Sequence, residues 1–272
     1  HVNHVTLKPY GKIDFSDLNE ASALVKSRMW NDVFWTLNDS GDEARIFPIN
    51  SHGEILKPEW MENYRGIQIP DAVNVDWEAI ATDDAGNLII GDCGNNSNAR
   101  RDLALYIIKE PYPWETVITR IFKKIQYYYP EQQEFPASQR NYDAEALFWA
   151  DHYIYLLTKH RSDSKTRLYR IDPFQNGLEI PATLMEEFDI QGRVTAADID
   201  PDGKLLLVLT ETSLWLFQKD VPSGKFFKGK TYWLPIEIPG GEAVAFDGNS
   251  IILLNEAGEL FKLDKEDLYL LN

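Results

Sequence analysis

The 272-residue sequence has a single cysteine, Cys93, so a disulfide within the chain is excluded. This cysteine lies in "GDCGNN", and we interpret it as a small buried residue at a strand end. No apolar run reaches the ~18 residues of a membrane-spanning helix, so membrane insertion is not expected. The five histidines lack metal-ligand spacing, and no Gly-x-Ser-x-Gly motif is present. The familiar sequence patterns of zinc and serine hydrolases are therefore missing.

Positive charge is also scarce. The chain has 27 lysines and arginines against 43 aspartates and glutamates, which gives a net charge of −16. Nucleic acids and anionic membranes repel such a protein, so we expect neither as a partner, whereas cations are attracted. A hydrophobic content of 44% is typical of a folded, soluble protein. The chain begins with His1, as a processed chain would, and we expect an extracytoplasmic protein, periplasmic or secreted, although no targeting segment is present.

Five internal repeats account for the length of the sequence. Their openings are "EASAL" at Glu20, "EAIA" at Glu78, "EALF" at Glu145, a weaker "AADI" at Ala196 and "EAVAF" at Glu242. A second apolar run follows each opening and ends in a polar residue. In four repeats this closing residue lies fourteen positions after the opening, and in the first repeat a longer turn delays it. The closing residues are Asp39, Asp92, Lys159, Thr210 and Glu256.

The repeats predict an all-β fold. Runs of four to eight residues rich in Val, Ile and aromatic side chains, separated by Gly, Pro and Asp, are typical of strands. Four such runs in every 46–67 residues indicate a β-propeller with one four-stranded blade per repeat. We favour five blades in a single domain over residues 1–272, with a sixth blade within Pro111–Arg140 as the alternative. The last repeat lacks a fourth run, and we expect the N-terminal "NHVTLKPY" to supply it and close the ring.

The propeller model brings the carboxylates of the repeats to one rim of the central channel. The first strand of each blade lines the channel and the second runs back, so the start of one and the end of the other are neighbours. Two carboxylates ~6 Å apart repel by roughly 3 kcal/mol at an effective dielectric constant of 20. Raised pKa values, a basic neighbour (Lys159, His160 or Arg161) or a bound cation would relieve this repulsion, with calcium the best match to oxygen ligands. The alternative is that the glutamates accept hydrogen bonds that staple neighbouring blades. The candidate metal ligands are Glu20, Glu78, Glu145, Glu242, Asn38, Asp39 and Asp92.

Other residues are candidates for contact with a small ligand at the same rim. They are Arg100, Arg101, Lys159 and Trp77. The two arginines end the loop "GDCGNNSNARR" and have the chemistry to hold an anionic group, although balancing local acid is the simpler role. Trp77 precedes the first glutamate of its repeat. His160 is a weak candidate for a general base, and a solvated histidine is the commoner interpretation.

Three stretches carry a resemblance to a known group of proteins: "NDSGDEARIFPI", "DWEAIATDDAGNLIIGDCGNN" and "YDAEALFWADHYIYLLTKH". They resemble blade openings of the SdiA-regulated family of bacterial propellers and its calcium-dependent phosphotriesterase-like relatives, such as paraoxonases and gluconolactonases. The resemblance implies a calcium ion held in the channel. The ligands that it implies are Glu20, Glu78, Glu145, Asn38 and Asp92.

Three functional hypotheses follow from the sequence. The first is a propeller whose acidic channel mouth binds calcium and a small, anionic ligand. The second is a metal-dependent hydrolase of lactones, esters or phosphoesters, in which the cation polarises the substrate. The third is a scaffold whose broad faces bind another protein.

Overall fold

Five antiparallel sheets surround a common axis in this computed structural model, which describes residues 5–271. The first strands of the five sheets contact one another in cyclic order, so the sheets form a closed ring. Within the described range the helical content is one 3-10 turn, Lys265–Asp267, and no helix has the length and hydropathy to cross a membrane. The fold is a five-bladed β-propeller, as predicted.

The strands follow the chain in blade order. The N-terminal strands are β1 (Val5–Thr6) and β2 (Gly11–Lys12). Blade 1 contains β3 (Ala21–Lys26), β4 (Phe34–Asn38), β5 (Arg45–Ile49) and β6 (Ile67–Gln68). Blade 2 contains β7 (Trp77–Thr82), β8 (Asn87–Asp92), β9 (Ala104–Lys109) and β10 (Ile121–Tyr128). Blade 3 contains β11 (Ala144–Ala150), β12 (Tyr153–Thr158), β13 (Lys165–Ile171) and, after the short β14 (Ile180–Pro181), β15 (Thr183–Asp189). Blade 4 contains β16 (Val194–Ile199), β17 (Leu205–Thr210), β18 (Ser213–Gln218) and β19 (Thr231–Glu237). Blade 5 contains β20 (Gly241–Asp247), β21 (Ser250–Asn255) and β22 (Glu259–Asp264). The last strand of the chain is β23 (Tyr269–Leu271).

The region proposed as a sixth blade belongs to blade 2. Within Pro111–Arg140 the only strand is β10, which pairs with β9 as the outermost full strand of that blade. The short β14 pairs with the outer edge of β10 in parallel. The alternative of six blades is therefore wrong, and the long second repeat reflects a long connection.

Each interface between neighbouring blades contains its own hydrophobic core. The core between blades 1 and 2 includes Trp35 and Trp77, both fully buried, and the core between blades 3 and 4 includes Trp215. Because the inner strands of a blade are covered on both faces, their sequences are continuous apolar runs rather than alternating patterns. Strand β8, "NLIIGD", is buried at all six positions. These tryptophans thus fill space between blades.

The N-terminal segment closes the ring. Strand β2 pairs antiparallel with β22 and completes blade 5, while β1 pairs in parallel with β19 of blade 4. The closing strand lies just after the predicted "NHVTLKPY", of which Asn3 and His4 are outside the described residues. The backbone N–H of Ile13 continues the pairing by donating to the carbonyl of Gly258 at 2.8 Å. Closure removes an exposed strand edge from the last blade.

A β-bulge occurs at the second residue of every first strand. The pairing of the first and second strands shifts there, so one residue per blade has no partner in the sheet. The bulged residues are Ser22, Glu78, Glu145, Thr195 and Glu242. Bulges turn side chains away from the regular direction. They also correct the predicted alignment of the repeats. The residue equivalent to Glu78 is Ser22 in blade 1, not Glu20, and Thr195 in blade 4, not Ala196.

Small side chains plug the centre of the channel. Alanines from several first strands, with Val244, meet at the axis and leave a space of about 10 Å³. One water molecule needs a cavity of at least about 10–15 Å³, so little or no water fits there. The plug divides the channel into two separate mouths at opposite faces of the disc.

The closure can be tested at Ile13, which is 4% exposed and packs between blades 5 and 1. We expect Ile13→Ala to lower the free energy of unfolding by about 2–5 kcal/mol, the usual cost of truncating a buried Ile. The control is Lys12→Ala, which removes an exposed side chain of β2 and should change stability by less than about 0.5 kcal/mol. Urea denaturation measures both values. Equal effects of the two substitutions would contradict closure through this segment.

Candidate functional site

The first mouth lies where the first strands begin and the second strands end, and it encloses a cavity of about 370 Å³. Six carboxylates face it together with two basic side chains. The carboxylates are Glu20, Asp39, Glu78, Glu145, Glu242 and Glu256, and the basic residues are Lys159 and Arg161. The structure therefore brings all four glutamates of the repeat openings to one cavity. Arg161, one of the basic neighbours expected at this rim, joins them.

The bulges and the alternation of strand residues decide which side chains reach this cavity. The pairing partners of the first residues of the first strands are Asp92 in blade 2 and Asn38 in blade 1. In blade 3 the residue at this position is Thr158. Lys159, the next residue along the chain, therefore corresponds to Asp39 in blade 1. Successive strand residues point to opposite faces. The fourteen-residue spacing therefore aligns Lys159 with Asp92, although Lys159 lies one strand position further along its blade.

Asn38 and Asp92 have polar partners within their own blades. The Asn38 amide oxygen accepts the Glu20 N–H at 3.2 Å, and its nitrogen donates to the Asp17 carbonyl at 2.7 Å. The Asp92 carboxylate accepts the N–H of Asp76 at 3.0 Å and pairs with Arg100 at 2.9 Å. Neither residue lines the cavity. These contacts fix the loops at the mouth, and the role of the two residues as metal ligands stays a prediction.

Three carboxylates form a close cluster at the boundary of blades 1 and 2. Oxygen atoms of Asp39, Asp76 and Glu78 all lie within 4.8 Å of one another. Glu78 is only 6% exposed, yet no described residue donates a hydrogen bond to its carboxylate or forms an ion pair with it. A buried carboxylate without a partner is costly unless a proton or a cation compensates it. The cluster therefore has the donor set and the charge deficit of a cation site.

Asp76 is the member of the cluster that the sequence analysis missed. It stands two residues before Glu78, and Asp143 stands two residues before Glu145. The repeated "DWEA" and "DAEA" would have been the signal. In blade 1 the equivalent position is Glu20, which explains why this glutamate reaches the mouth although it is not the bulged residue.

Blade 3 shows how the same pair of acids is neutralised when basic residues are present. Asp143 accepts the Asn95 N–H at 2.6 Å and pairs with Arg161 at 2.9 Å. Glu145 lies 3.4 Å from the Lys159 ammonium and 3.7 Å from the Arg161 guanidinium. Two side-chain cations thus serve the pair in blade 3. The pair in blade 2 faces a third carboxylate instead.

Burial and mutual repulsion favour the protonated acids at this mouth. Burial, followed by the charges of Glu145 and Asp39, holds the pKa of Glu78 well above its ordinary value. Burial and then Asp39 raise the pKa of Asp76 to about 6. Burial raises the pKa of Glu242 to about 7, although Lys159 acts in the opposite direction. A cation bound among these groups would reverse each of these shifts.

Gly94 allows the loop after β8 to close over the cluster. A Cβ atom at this position would lie 2.5 Å from the Asp76 carboxylate and 2.7 Å from Glu78 Oε1. The Gly94 N–H donates to the Asp76 carbonyl at 3.1 Å. The glycine in "GDCGNN" is thus explained by close approach to two carboxylates.

Two of the predicted ligand contacts are held by other groups. Arg100 pairs with Asp92 and with Asp102 at 3.0 Å. Arg101 places its guanidinium 3.8 Å from the centre of the Phe135 ring, and neither arginine lines the cavity. Arg100 therefore balances local acid, which is the simpler of the two predicted roles, and Arg101 packs on Phe135.

Trp77 and His160 are both inaccessible. Trp77 is fully buried, and its indole N–H donates to the Val73 carbonyl at 3.0 Å. His160 also has no exposed surface, and its Nδ1 lies 2.6 Å from the Asp163 carboxylate. Burial lowers the pKa of His160 although Asp163 raises it. The expectation of a solvated His160 is therefore wrong, whereas a ligand contact at Trp77 and a general base at His160 stay predictions that neither side chain's burial favours. Of the ligand-contact candidates among the described residues, Lys159 is the one that lines the cavity.

Comparisons with known proteins find no sequence match and only distant structural similarity. No family model matches the sequence, and no curated protein matches it. A functionally unknown protein from Desulfotomaculum acetoxidans DSM 771 is 12% identical, with a TM-score of 0.49 over 93% of this chain and 70% of that one. A chain of a mitotic checkpoint complex is 12% identical, with a TM-score of 0.44 over 89% of this chain and 62% of that one. The computationally designed Ika8 protein is 10% identical, with a TM-score of 0.37 over 90% and 70% of the two chains.

The pKa of Glu242 predicts a pH dependence of stability in the absence of metal. Its value is 4.5 in an unfolded chain and about 7 in the fold, so the native state binds the proton more tightly. Stability from this group is complete below pH ~4.5 and is lost as the pH rises to 7. We expect the wild type to lose up to about 3 kcal/mol relative to Glu242→Gln across this window.

Urea denaturation in the presence of a chelator at pH 4.5, 6 and 7.5 measures this difference. The matched control is Glu256→Gln, which neutralises an exposed carboxylate of the same cavity. Because the charge of Glu256 helps to raise the pKa of Glu242, this variant should keep the pH dependence of the wild type in sign, with a smaller loss. The assignment fails if Glu242→Gln has the same pH dependence as the wild type.

Proposed function

We propose that this propeller binds a divalent cation, calcium, through Asp39, Asp76 and Glu78, and that the cation helps to hold a small anionic ligand in the first mouth. The observation that carries the proposal is Glu78, a buried carboxylate without a partner among the described residues, in contact range of two further carboxylates. At ~4.8 Å and an effective dielectric constant of 20, each pair of these charges repels by roughly 3.5 kcal/mol. A divalent cation turns this repulsion into attraction.

The chemistry of the donors supports calcium. The cluster offers only carboxylate oxygens, and no histidine or cysteine joins it in the described part of the chain. Such a hard, all-oxygen set favours calcium or magnesium over zinc and copper. Calcium accepts six to eight ligands with loose geometry, so water and a ligand in the open cavity complete its shell, while magnesium demands a near-ideal octahedron.

Charge on the cavity wall supports an anionic ligand that depends on the cation. Six carboxylates and two basic groups line about 370 Å³, a volume within the range of small-molecule sites. Without a cation this wall repels an anion. With one, the cation on the side of blade 2 and the pair Lys159 and Arg161 on the side of blade 3 present positive charge from two directions.

The sequence resemblance adds a family and a location to the proposal. Membership among the calcium-dependent phosphotriesterase-like propellers would agree with a calcium site in the channel. An extracytoplasmic location fits as well, because extracellular modules bind calcium with Kd values of about 10⁻⁴–10⁻³ M, which suits a site with three protein carboxylates.

Calcium should raise the thermal stability of the wild type. At a concentration of 100 times Kd, binding contributes about 2.7 kcal/mol, which corresponds to a rise in Tm of about 5–10 °C for a chain of this size. Scanning calorimetry with calcium, with magnesium and with chelator measures the effect, and we expect a smaller rise with magnesium.

Substitution of Glu78, the buried member of the proposed site, distinguishes calcium binding there from general screening of charge by calcium. Glu78→Gln should abolish most of the calcium-dependent rise, and in chelator it should itself raise Tm, because it removes a buried charge. Glu256→Gln, at the same cavity but outside the cluster, should keep the full response. A calcium-dependent rise that survives in Glu78→Gln would disprove the site.

Hydrolysis of lactones, esters or phosphoesters is a second candidate function. It is favoured by the arrangement of the proposed cation and two basic side chains around one cavity. A bound cation would polarise the substrate oxygen. Lys159 and Arg161 would orient the anionic or carbonyl group.

A panel of lactones and aryl phosphates tests this second function. We expect calcium-dependent turnover that Glu78→Gln reduces by at least a hundredfold and Glu256→Gln leaves nearly unchanged. Calcium binding without turnover of any substrate in the panel would leave the binding function and argue against the hydrolase.

A further inference from the structure

The second channel mouth, at the opposite face of the disc, is the larger of the two. It is lined by the last residues of β3, β7, β16 and β20 and by the loops that follow them, and it encloses about 820 Å³. The alanine plug separates it from the first mouth. A cavity of this size fits an organic molecule rather than a single ion. None of the residues discussed for the first mouth reaches it.

The charges of the second mouth are segregated. Its basic residues Lys26, Arg28 and Lys265 come from blades 1 and 5, which are neighbours in the ring. Its acidic residues come from blades 2 and 4. The cavity therefore has a positive side and a negative side. Such a cavity favours a ligand that itself carries both charges.

Many of these charges are already used. The Asp83 carboxylate accepts three hydrogen bonds within its own turn, and Arg28 holds Asp84 at 2.7 Å. Lys26 pairs with Asp247. The Asp200 carboxylate accepts the N–H groups of Lys204 and Leu205, and the exposed Asp202 lies 4.0 Å from the Lys204 ammonium. Asp198 and Lys265 are left as the candidates to contact the charges of a ligand.

Asp198 supplies the negative end. It lies near the end of β16 and is only 8% exposed. One of its carboxylate oxygens accepts the Phe246 N–H at 2.8 Å. No basic side chain lies within 4.0 Å of it in the described chain. The carboxylate thus faces the cavity held by backbone hydrogen bonds and without an ion-pair partner. A ligand ammonium group would provide one.

Lys265 supplies the positive end. Its ammonium group lies 5.7 Å from the centre of the Phe246 ring, and it has no carboxylate within 4.0 Å among residues 5–271. Asp198 and Lys265 therefore approach the same phenylalanine, one at its backbone and one at its ring. A ligand that contacts both groups has to reach from the backbone of Phe246 to beyond its ring, and an extended peptide covers ~3.3–3.6 Å per residue.

Apolar side chains fill the wall between the two charges. Phe246, Met29 and Val25 line the cavity, and its surface is more apolar than that of the first mouth. Met29 is 52% exposed at the rim, where its flexible side chain adapts to different shapes. A ligand with an apolar body and charged ends matches this wall.

We propose that the second mouth binds a short zwitterionic peptide with apolar side chains, its amino terminus at Asp198 and its carboxyl terminus at Lys265. The site is separate from the proposed cation site, because the plug lies between them. Both termini are recognised, so blocking either one removes a charge-assisted contact.

Titration calorimetry with leucyl-leucine tests the proposal. We expect saturable binding by the wild type at a Kd in the micromolar to millimolar range. Capping the amino terminus by acetylation or the carboxyl terminus as an amide should weaken binding at least tenfold. Binding that is indifferent to both caps would overturn the proposal, as would the absence of saturable binding.

Variants locate the two ends. Asp198→Asn keeps the hydrogen-bond acceptor for Phe246 and should weaken the free dipeptide at least tenfold, but hardly affect the acetylated one. Lys265→Met should act in the same way on the carboxyl end. Asp202→Asn, at an exposed residue of the same mouth, is the control and should bind as the wild type does. Glu78→Gln should also leave peptide binding unchanged, and loss of binding in that variant alone would move the ligand to the first mouth and overturn the proposal.

Discussion

The bulge at the second residue of each first strand is the constraint on which the channel depends. Five strands meet at the axis, and only small side chains such as Ala79 and Ala146 fit where they converge. The bulged residue just before each alanine has no partner in the sheet, so its side chain turns to the mouth. The irregularity recurs in all five blades, and four of the bulged residues line the first mouth: Ser22, Glu78, Glu145 and Glu242.

The blades differ in how they compensate the acids that this geometry gathers. In blade 3, Arg161 and Lys159 stand against Asp143 and Glu145, so the protein supplies its own cations. In blade 2 the group that joins Asp76 and Glu78 is Asp39, another acid. A structural role for all five openings would predict similar compensation in every blade. The contrast between two copies of one motif therefore favours a ligand in the blade 2 position over a purely architectural role.

The architecture could be predicted from the sequence because blade packing leaves a signal in every repeat. Buried runs such as β8 and β17 are long enough to recognise without their partners. The register could not be predicted, because a bulge interrupts the two-residue alternation and the first turn varies in length. Glu20 was therefore aligned with Glu78, and Lys159 with Asp92. Asp76 was missed for another reason: its significance depends on Asp39, which lies in the neighbouring blade and is brought close only by the ring.

The plug gives the two mouths independent electrostatics. Acid predominates at the first mouth, so under the proposed function an anion binds there only when the cation is present. At the second mouth the carboxylate of Asp198 and the ammonium group of Lys265 face one cavity, so the proposed zwitterion needs no metal. Because the space among the alanines is only about 10 Å³, a ligand does not pass from one mouth to the other. The two proposed sites, on opposite faces of the disc, are therefore independent of each other.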